Sequence, residues 1–236
     1  MGHLIIADGH YTNAPHERAR WEQLLHQASA AGVRELSILG DFFELWVALP
    51  GAMPSWQQAF VDALRPLQQQ GVKVRYVMGN KDYYIAQWNR HAAVFAEVVE
   101  VATTIASPVG PVHLEHGDLV NQADRAYQRW RRFSRSRPLH LLGRLLPRWA
   151  MRPLANGLAR WLKGTNRVHK SYFPEMALRQ RARAMPPGPL TLMFGHFHSH
   201  KVLQEGDKRI ITLPFLATDN AGLWIDRRGI SLFPAA

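Results

Sequence analysis

At 236 residues, 47% of them hydrophobic, the chain is long enough for one large domain, or a domain with an elaboration, around a sizeable core. It has no cysteine, which excludes disulfides and thiolate metal sites, and no apolar run of about 18 residues, which excludes a spanning helix. The net charge of +11 calls for an anionic partner, and its location along the chain narrows which one.

Residues 3–7 read as a first strand running into Asp8-Gly9-His10. With no basic-then-apolar export pattern before that strand, a cytoplasmic enzyme is expected. Trp21, Leu24, Leu25 and Ala28 recur at helical spacing, predicting a helix over 15–31 that Gly32 closes. A strand over 35–39 delivers Gly40-Asp41. Phe42-Phe43-Glu44-Leu45-Trp46 and a Pro/Gly loop over 50–54 follow. A helix over 55–70 and a strand over 74–78 lead to Gly79-Asn80-Lys81-Asp82, then loop and helix over 82–96. The runs 98–104 and 111–115 look like paired strands around a turn at 107–110, and the second delivers His116-Gly117-Asp118. After a helix over 172–185, a strand over 190–194 delivers Gly195-His196-Phe197-His198. Strands over 209–213, 222–225 and 230–233 close the chain. Strand–helix alternation early and strand pairs late predict an α/β fold: a mixed sheet, or two, with helices on the faces.

Residues 125–170 break this rhythm. They hold thirteen Lys and Arg and no acid, while the rest of the chain carries 16 basic residues against 18 acidic. Pro138, Pro147 and Pro153 should divide the segment into short helices. At about 100° per residue, Leu142, Leu145, Leu146 and Trp149 share one face, and Arg137, His140, Arg144 and Arg148 the other. The reading is a basic helical lid, 125–170, inserted into a core made of 1–124 and 171–236.

Five strand-like runs thus end in Asp, Asn or His. Parallel sheets put their chemistry at the carboxyl ends of strands, so these ends should gather two Asp, one Asn and four His. Asp, Asn and His without Cys suit Mn²⁺, Fe²⁺ or Zn²⁺ in high coordination. Two such ions need a shared ligand, and Asp41, in a central strand position after Gly40, is the expected bridge. Glu44 and Asp82 are candidate partners for the ligand histidines.

Taken together, Asp8-x-His10, Gly40-Asp41 with Glu44, Gly79-Asn80-Lys81-Asp82, His116 and Gly195-His196-x-His198 resemble the calcineurin-like metallophosphoesterases over about the whole chain. The resemblance implies an αββα sandwich holding two divalent ions, Mn²⁺ being the expected metal. It places Asp8, His10, Asp41 and His198 on one ion and Asp41, Asn80, His116 and His196 on the other, with a bridging hydroxide as nucleophile. Many members have His where Lys81 stands; a lysine can stabilise phosphoryl charge but is a poor acid at its ordinary pKa near 10.

Gly40-Asp41-Phe42-Phe43-Glu44-Leu45-Trp46, His116-Gly117-Asp118 and Tyr127-Gln128-Arg129-Trp130-Arg131 are similar to motifs of the UDP-2,3-diacylglucosamine diphosphatase family of lipid A synthesis. Members have Arg where this chain has Lys81, and they insert a basic, apolar helical lid at this point. The resemblance implies cleavage of the pyrophosphate to UMP and 2,3-diacylglucosamine 1-phosphate, by a protein peripheral to the anionic inner-membrane surface. It assigns Asp41, Asn80, Lys81 and His116 to catalysis. It assigns Asn80, Lys81, Asp124, Arg160, Lys170 and His196 to contact with a lipid-linked nucleotide. The alternative is a phosphodiesterase or nuclease acting on another nucleotide- or lipid-linked phosphate. Nucleic acid is the less favoured partner, because the leucines of the basic segment suit acyl chains better than phosphate tracking. Protein partners are not indicated.

Overall fold

The computed structural model describes residues 2–165 and 173–234. The first half alternates: β1 (Gly2–Ile6), α1 (Pro15–Ala30), β2 (Val33–Leu39), β3 (Trp46–Val47), α2 (Ser55–Asp62), α3 (Arg65–Gln69), β4 (Lys73–Val77), β5 (Asp82–Tyr83), α4 (Ile85–Ala92) and β6 (Glu97–Val99). Then come β7 (Ala102–Ile105), β8 (Val112–Glu115), α5 (Arg125–Ser134), α6 (Arg137–Leu145), α7 (Arg148–Thr165) and α8 (Glu175–Arg183). The chain ends with β9 (Leu190–Phe194), β10 (Lys201–Glu205), β11 (Lys208–Thr212), α9 (Leu216–Asp219), β12 (Ala221–Asp226) and β13 (Gly229–Pro234).

Two sheets form. One runs β13-β12-β1-β2-β4-β6, the other β10-β11-β9-β8-β7. Strand periodicity explains their stacking: Leu4 and Ile6 face a helix-covered core with Trp21, Leu24 and Phe60. Their neighbours Ile5 and Ala7 face Val112, Leu114 and Met193 of the other sheet. On that sheet's far side Leu192 and Phe194 pack on Leu178 and Ala182 of α8. The layers are therefore helix, sheet, sheet, helix. β1, β2, β4 and β6 are mutually parallel, as are β8, β9 and β11. Their carboxyl ends consequently share an edge.

Three expectations are corrected. The helix over 55–70 is two helices, α2 and α3, broken ahead of Pro66, whose ring disfavours a continuous helix there. The run 98–104 is not one strand: β6 pairs with β4 in the first sheet and β7 with β8 in the second, the chain crossing between sheets at Glu100-Val101. Residues 46–47 and 82–83 pair as the small parallel ladder of β3 and β5.

That ladder is the bed for α6 and α7. Leu45, Val47, Leu49, Tyr83 and Tyr84 meet Met151, with Leu146, Ala155 and Leu158 packed against them. Gly51 (φ +82°) runs under the start of α7, where an added Cβ would lie 2.7 Å from the Arg148 carbonyl oxygen. Pro138 opens α6 and Pro147 separates α6 from α7, while α7 continues through Pro153. Leu146 interrupts the face expected for Leu142, Leu145, Leu146 and Trp149 and leaves Trp149 on α7. It ends α6 in an extended conformation (φ −69°, ψ 144°) and turns into the cluster, while the other three stay exposed.

Candidate metal centre

The expected ligands come together where the parallel strands end. β1 delivers Asp8 and His10, β2 Asp41, β4 Asn80, β8 His116, and β9 His196 and His198. Asp8, His10, Asp41, His196 and His198 all have positive φ, between 43° and 68°. Such backbone costs about 1–3 kcal/mol per residue and persists where surrounding structure imposes it. Here a crossing of loops imposes it. Gly40 (φ +73°) lies so close to Gly79 and His116 that an added Cβ would be 2.6 Å from Gly79 Cα and 2.7 Å from His116 Nδ1.

Ligand atoms of Asp8, His10 and His198 lie within 4.8 Å of one another, and so do those of Asp8, Asp41 and His116. In the first group His10 Nε2 and His198 Nε2 are 3.2 Å apart, and Asp8 Oδ1 is 3.4 Å from His198 Nε2. In the second, His116 Nε2 faces Asn80 Oδ1 at 3.1 Å and Asp41 Oδ1 at 3.7 Å. Asp41 Oδ2 points the other way, 3.9 Å from His10 Nε2. Asp8 Oδ2 is taken up by the His196 amide, which donates to it at 2.7 Å. The His196 ring lies 5.1 Å from that of His116.

These atoms fit a pair of cations. His116 Nδ1–H donates to the Leu39 carbonyl at 2.7 Å, which turns the Nε2 lone pair toward Asn80 Oδ1 and Asp41. Asp8 Oδ1 is buried without a hydrogen-bond partner. Burial disfavours the charge on Asp8, yet the imidazoles of His10 and His198 hold its pKa below the ordinary carboxylate range. Burial alone would lower the His116 imidazole; the carboxylates of Asp41, Asp8 and Asp118 outweigh it and hold its pKa up at about 9. Burial, with the charge of His116, brings His196 down to about 4. Several buried carboxylates thus call for positive charge, and converging N and O lone pairs can receive it as metal ions.

The nearby groups divide by role. Lys81 is buried, its Nζ 3.5 Å from Glu44 Oε2, while Glu44 Oε1 is 3.6 Å from His10 Nδ1. Glu44 therefore lies beside His10, one of the candidate ligands. Among the described residues Asp82 has no hydrogen bond to a histidine: its Oδ2 accepts the amides of Gly79 at 2.6 Å and Asp41 at 3.0 Å, fastening the two loops together. Burial and the neighbouring Asp41 charge raise its pKa to about 6. Asp124 caps α5 by accepting the Tyr127 amide at 2.8 Å, and Arg160 is exposed on α7. Lys170 lies outside the described residues.

Two residues at the centre carry no role in the sequence reading. Asp118 accepts from the Tyr127 hydroxyl and from Arg131 Nε at 3.2 Å, tying α5 to the loop that bears His116. The spacing of Tyr127 and Arg131, one helical turn apart, is a signal for that shared partner. The other residue, Phe215, lies against His198, a contact no spacing could reveal.

An αββα sandwich with Asp, Asn and His at its strand ends is the architecture of the metallophosphoesterases. Two solved structures share the fold: Yfce, a phosphoesterase from E. coli, with TM-score 0.50 and 16% identity, covering 100% of this chain and 93% of that one; and an archaeal phosphodiesterase, with TM-score 0.50 and 10% identity, covering 99% of each. No protein-family model matches the chain. Among curated proteins, the UDP-2,3-diacylglucosamine hydrolase of Pseudomonas fluorescens strain Pf-5 is 31% identical over 97% of this chain and 93% of its own length. That of Pseudomonas entomophila is 30% identical over 98% of each. The chain belongs to the UDP-2,3-diacylglucosamine hydrolase family.

Proposed function

We propose that the chain hydrolyses UDP-2,3-diacylglucosamine at its pyrophosphate. Water oxygen bonds to the UMP-side phosphorus, the bond from that phosphorus to the bridging oxygen breaks, and 2,3-diacylglucosamine 1-phosphate leaves with UMP. The relatives' name supports the substrate. The observation that carries the reaction class is the divergence of the Asp41 oxygens, one toward His116 and one toward His10. Asp41 would be the ligand shared by the two cations: its Oδ1, which also accepts the Lys81 amide at 2.8 Å, faces His116, and its Oδ2 faces His10. Asp8, His10, Asp41 and His198 would hold one cation and Asp41, Asn80, His116 and His196 the other, Mn²⁺ being the proposed metal. When bound, such a pair acidifies water and neutralises charge on phosphoryl oxygens.

The chain's own groups do the rest. Lys81, steadied by Glu44, sets a buried positive charge toward the phosphoryl oxygens, and Asn80 and His196 contact the same group. Asp82 holds the Asp41 and Asn80 loops in register. Residues 125–170 form the lid, with Asp124, Arg160 and Lys170 as substrate contacts. Exposed Leu141, Leu142, Leu145, Trp149 and Leu154 alternate there with exposed Arg137, Arg144, Arg148 and Arg152. Apolar groups among arginines suit the boundary of an anionic bilayer, which supports peripheral association with the inner membrane. Among the described residues no helix is long and apolar enough to cross a membrane.

The test is turnover of UDP-2,3-diacylglucosamine with Mn²⁺ in water labelled with oxygen-18. Label should enter UMP, and Asp41→Ala should lower turnover at least about 100-fold, as expected for removal of a bridge in two-metal catalysis. Near-normal turnover by Asp41→Ala with two ions still bound would reject the bridge. Turnover of simple phosphodiesters without any of the diacylated nucleotide would move the reading to a general phosphodiesterase.

A further inference from the structure

The segment after β11 supplies no ligand, yet it presses on one half of the centre. The Phe215 ring lies parallel to the His198 imidazole, with centroids 3.9 Å apart and planes 3° apart. It meets the His10 ring edge-on at 5.6 Å and 75°. The Phe215 backbone is itself held, its N–H donating to Asp219 Oδ2 at 2.9 Å across the short helix α9. From α9 the amides of Leu216 and Ala217 reach the carbonyls of Ala7 at 3.4 Å and Asp8 at 3.3 Å. Residues 215–219 thus brace Asp8, His10 and His198 together.

The two halves are oriented by different means. His116 has its plane set by the hydrogen bond from Nδ1 to Leu39 O. Among the described residues, His198 Nδ1 makes no such bond, and the last torsion of a histidine side chain is broad unless something restrains it. A ring stacked at 3.9 Å restrains it. An imidazole that donates its lone pair to a cation also becomes electropositive, and the negative face of Phe215 then attracts it more strongly.

We propose that Phe215 is the positioning residue of the Asp8–His10–His198 half-site, setting that half's cation affinity and leaving the Asn80–His116–His196 half unchanged. The inference rests on the two-cation reading above. Titration of Mn²⁺ into the metal-stripped full chain, followed by calorimetry and electron paramagnetic resonance, tests it in wild type, Phe215→Leu and Phe215→Tyr. Wild type should take up two ions. Phe215→Leu should weaken one of them by about tenfold or more, the usual effect of losing a group that orients a ligand, with the other unchanged. Phe215→Tyr, which keeps the ring, should restore both, and the metal-free melting temperatures of all three should agree. Two ions in wild type with unaltered affinities in Phe215→Leu overturn the positioning role and leave the two-cation reading standing. Equal weakening of both ions with a fallen metal-free melting temperature means a general loss of fold and also overturns it. A single ion in wild type overturns the two-cation reading and this inference with it.

Discussion

Lys81 would be an ordinary exposed loop cation if only its neighbours in sequence mattered. The fold instead leaves it 5% exposed beside Glu44, at the edge of the metal centre. A buried ammonium loses hydration and is retained where a nearby anion compensates; Glu44 does so in part, and a substrate phosphoryl group would complete it. Lys81→Ala should therefore lower kcat by about 100-fold, the usual range for removing a group that stabilises transition-state charge. Lys81→Arg should keep much of the activity, because the charge remains. Steady-state kinetics decide: a raised KM with unchanged kcat would reassign Lys81 to substrate binding. The candidate ligands were legible as residues at strand ends. The function of Asp82 was not, because its partners are backbone amides of two loops brought together by the β2–β4 pairing.

Among elements, the three helices α5, α6 and α7 diverge most from what local pattern implies. Amphipathic spacing grouped Leu142 and Leu145 of α6 with Trp149, which the break at Leu146 places on α7; an apolar face ordinarily turns inward, whereas these three residues are exposed. Leu145 is 82% and Trp149 80% exposed. The inward contacts come instead from Leu146, Met151, Ala155 and Leu158, on the bed made by β3 and β5. This separates two experiments that sequence alone would merge. Leu142→Ser with Leu145→Ser should leave the melting temperature within a few degrees, since both residues are already exposed. The pair should lower turnover of the diacylated nucleotide and its retention on anionic vesicles, because each CH₂ taken from water contributes about 0.8 kcal/mol. Hydrolysis of a small chromogenic phosphodiester should be spared, since the candidate metal ligands follow strands of the two sheets. Equal loss on both substrates would count against a lipid-selective face. Leu146→Ser, by contrast, should destabilise the chain.

At the scale of the whole molecule, stability depends on a polar pocket inside the sandwich, at the end of the first sheet away from the metal centre. His3 is 7% exposed there and bonded to Ser37 Oγ at 2.9 Å, with Arg75 also reaching Ser37 and pairing with Glu35 and Glu97. Burial lowers its pKa from 6.5 to about 4, the attraction of Glu35 opposing and the repulsion of Arg75 assisting. The folded state therefore keeps His3 neutral where the unfolded chain takes up a proton. The stabilisation is complete above about pH 6.5 and is lost as pH falls toward 4. At 1.36 kcal/mol per pH unit, about 2 kcal/mol should go between pH 7 and 4.5. Urea unfolding of the metal-stripped protein checks this. His3→Gln, which has no titrating ring, should lose less stability than wild type over that range by about the same amount. Parallel pH profiles would mean that His3 is protonated in the fold.

The α/β class, the strand ends bearing Asp, Asn and His, and the basic segment were determined by the sequence alone. Apolar runs, turn glycines and charge density are local quantities, and a parallel strand presents whatever follows it at its carboxyl end. The tertiary structure alone decided how those residues are grouped. His10 and His198 stand 188 residues apart and meet because β9 lies in the second sheet with its end over that of β1. The division of residues 97–105 between two sheets, the burial of His3 and Lys81, the outward face of α6 and the Phe215 stack were decided in the same way. Each depends on strand order and on which surfaces are left to cover them, and those are set by the sum of contacts over the whole chain, which no single stretch records.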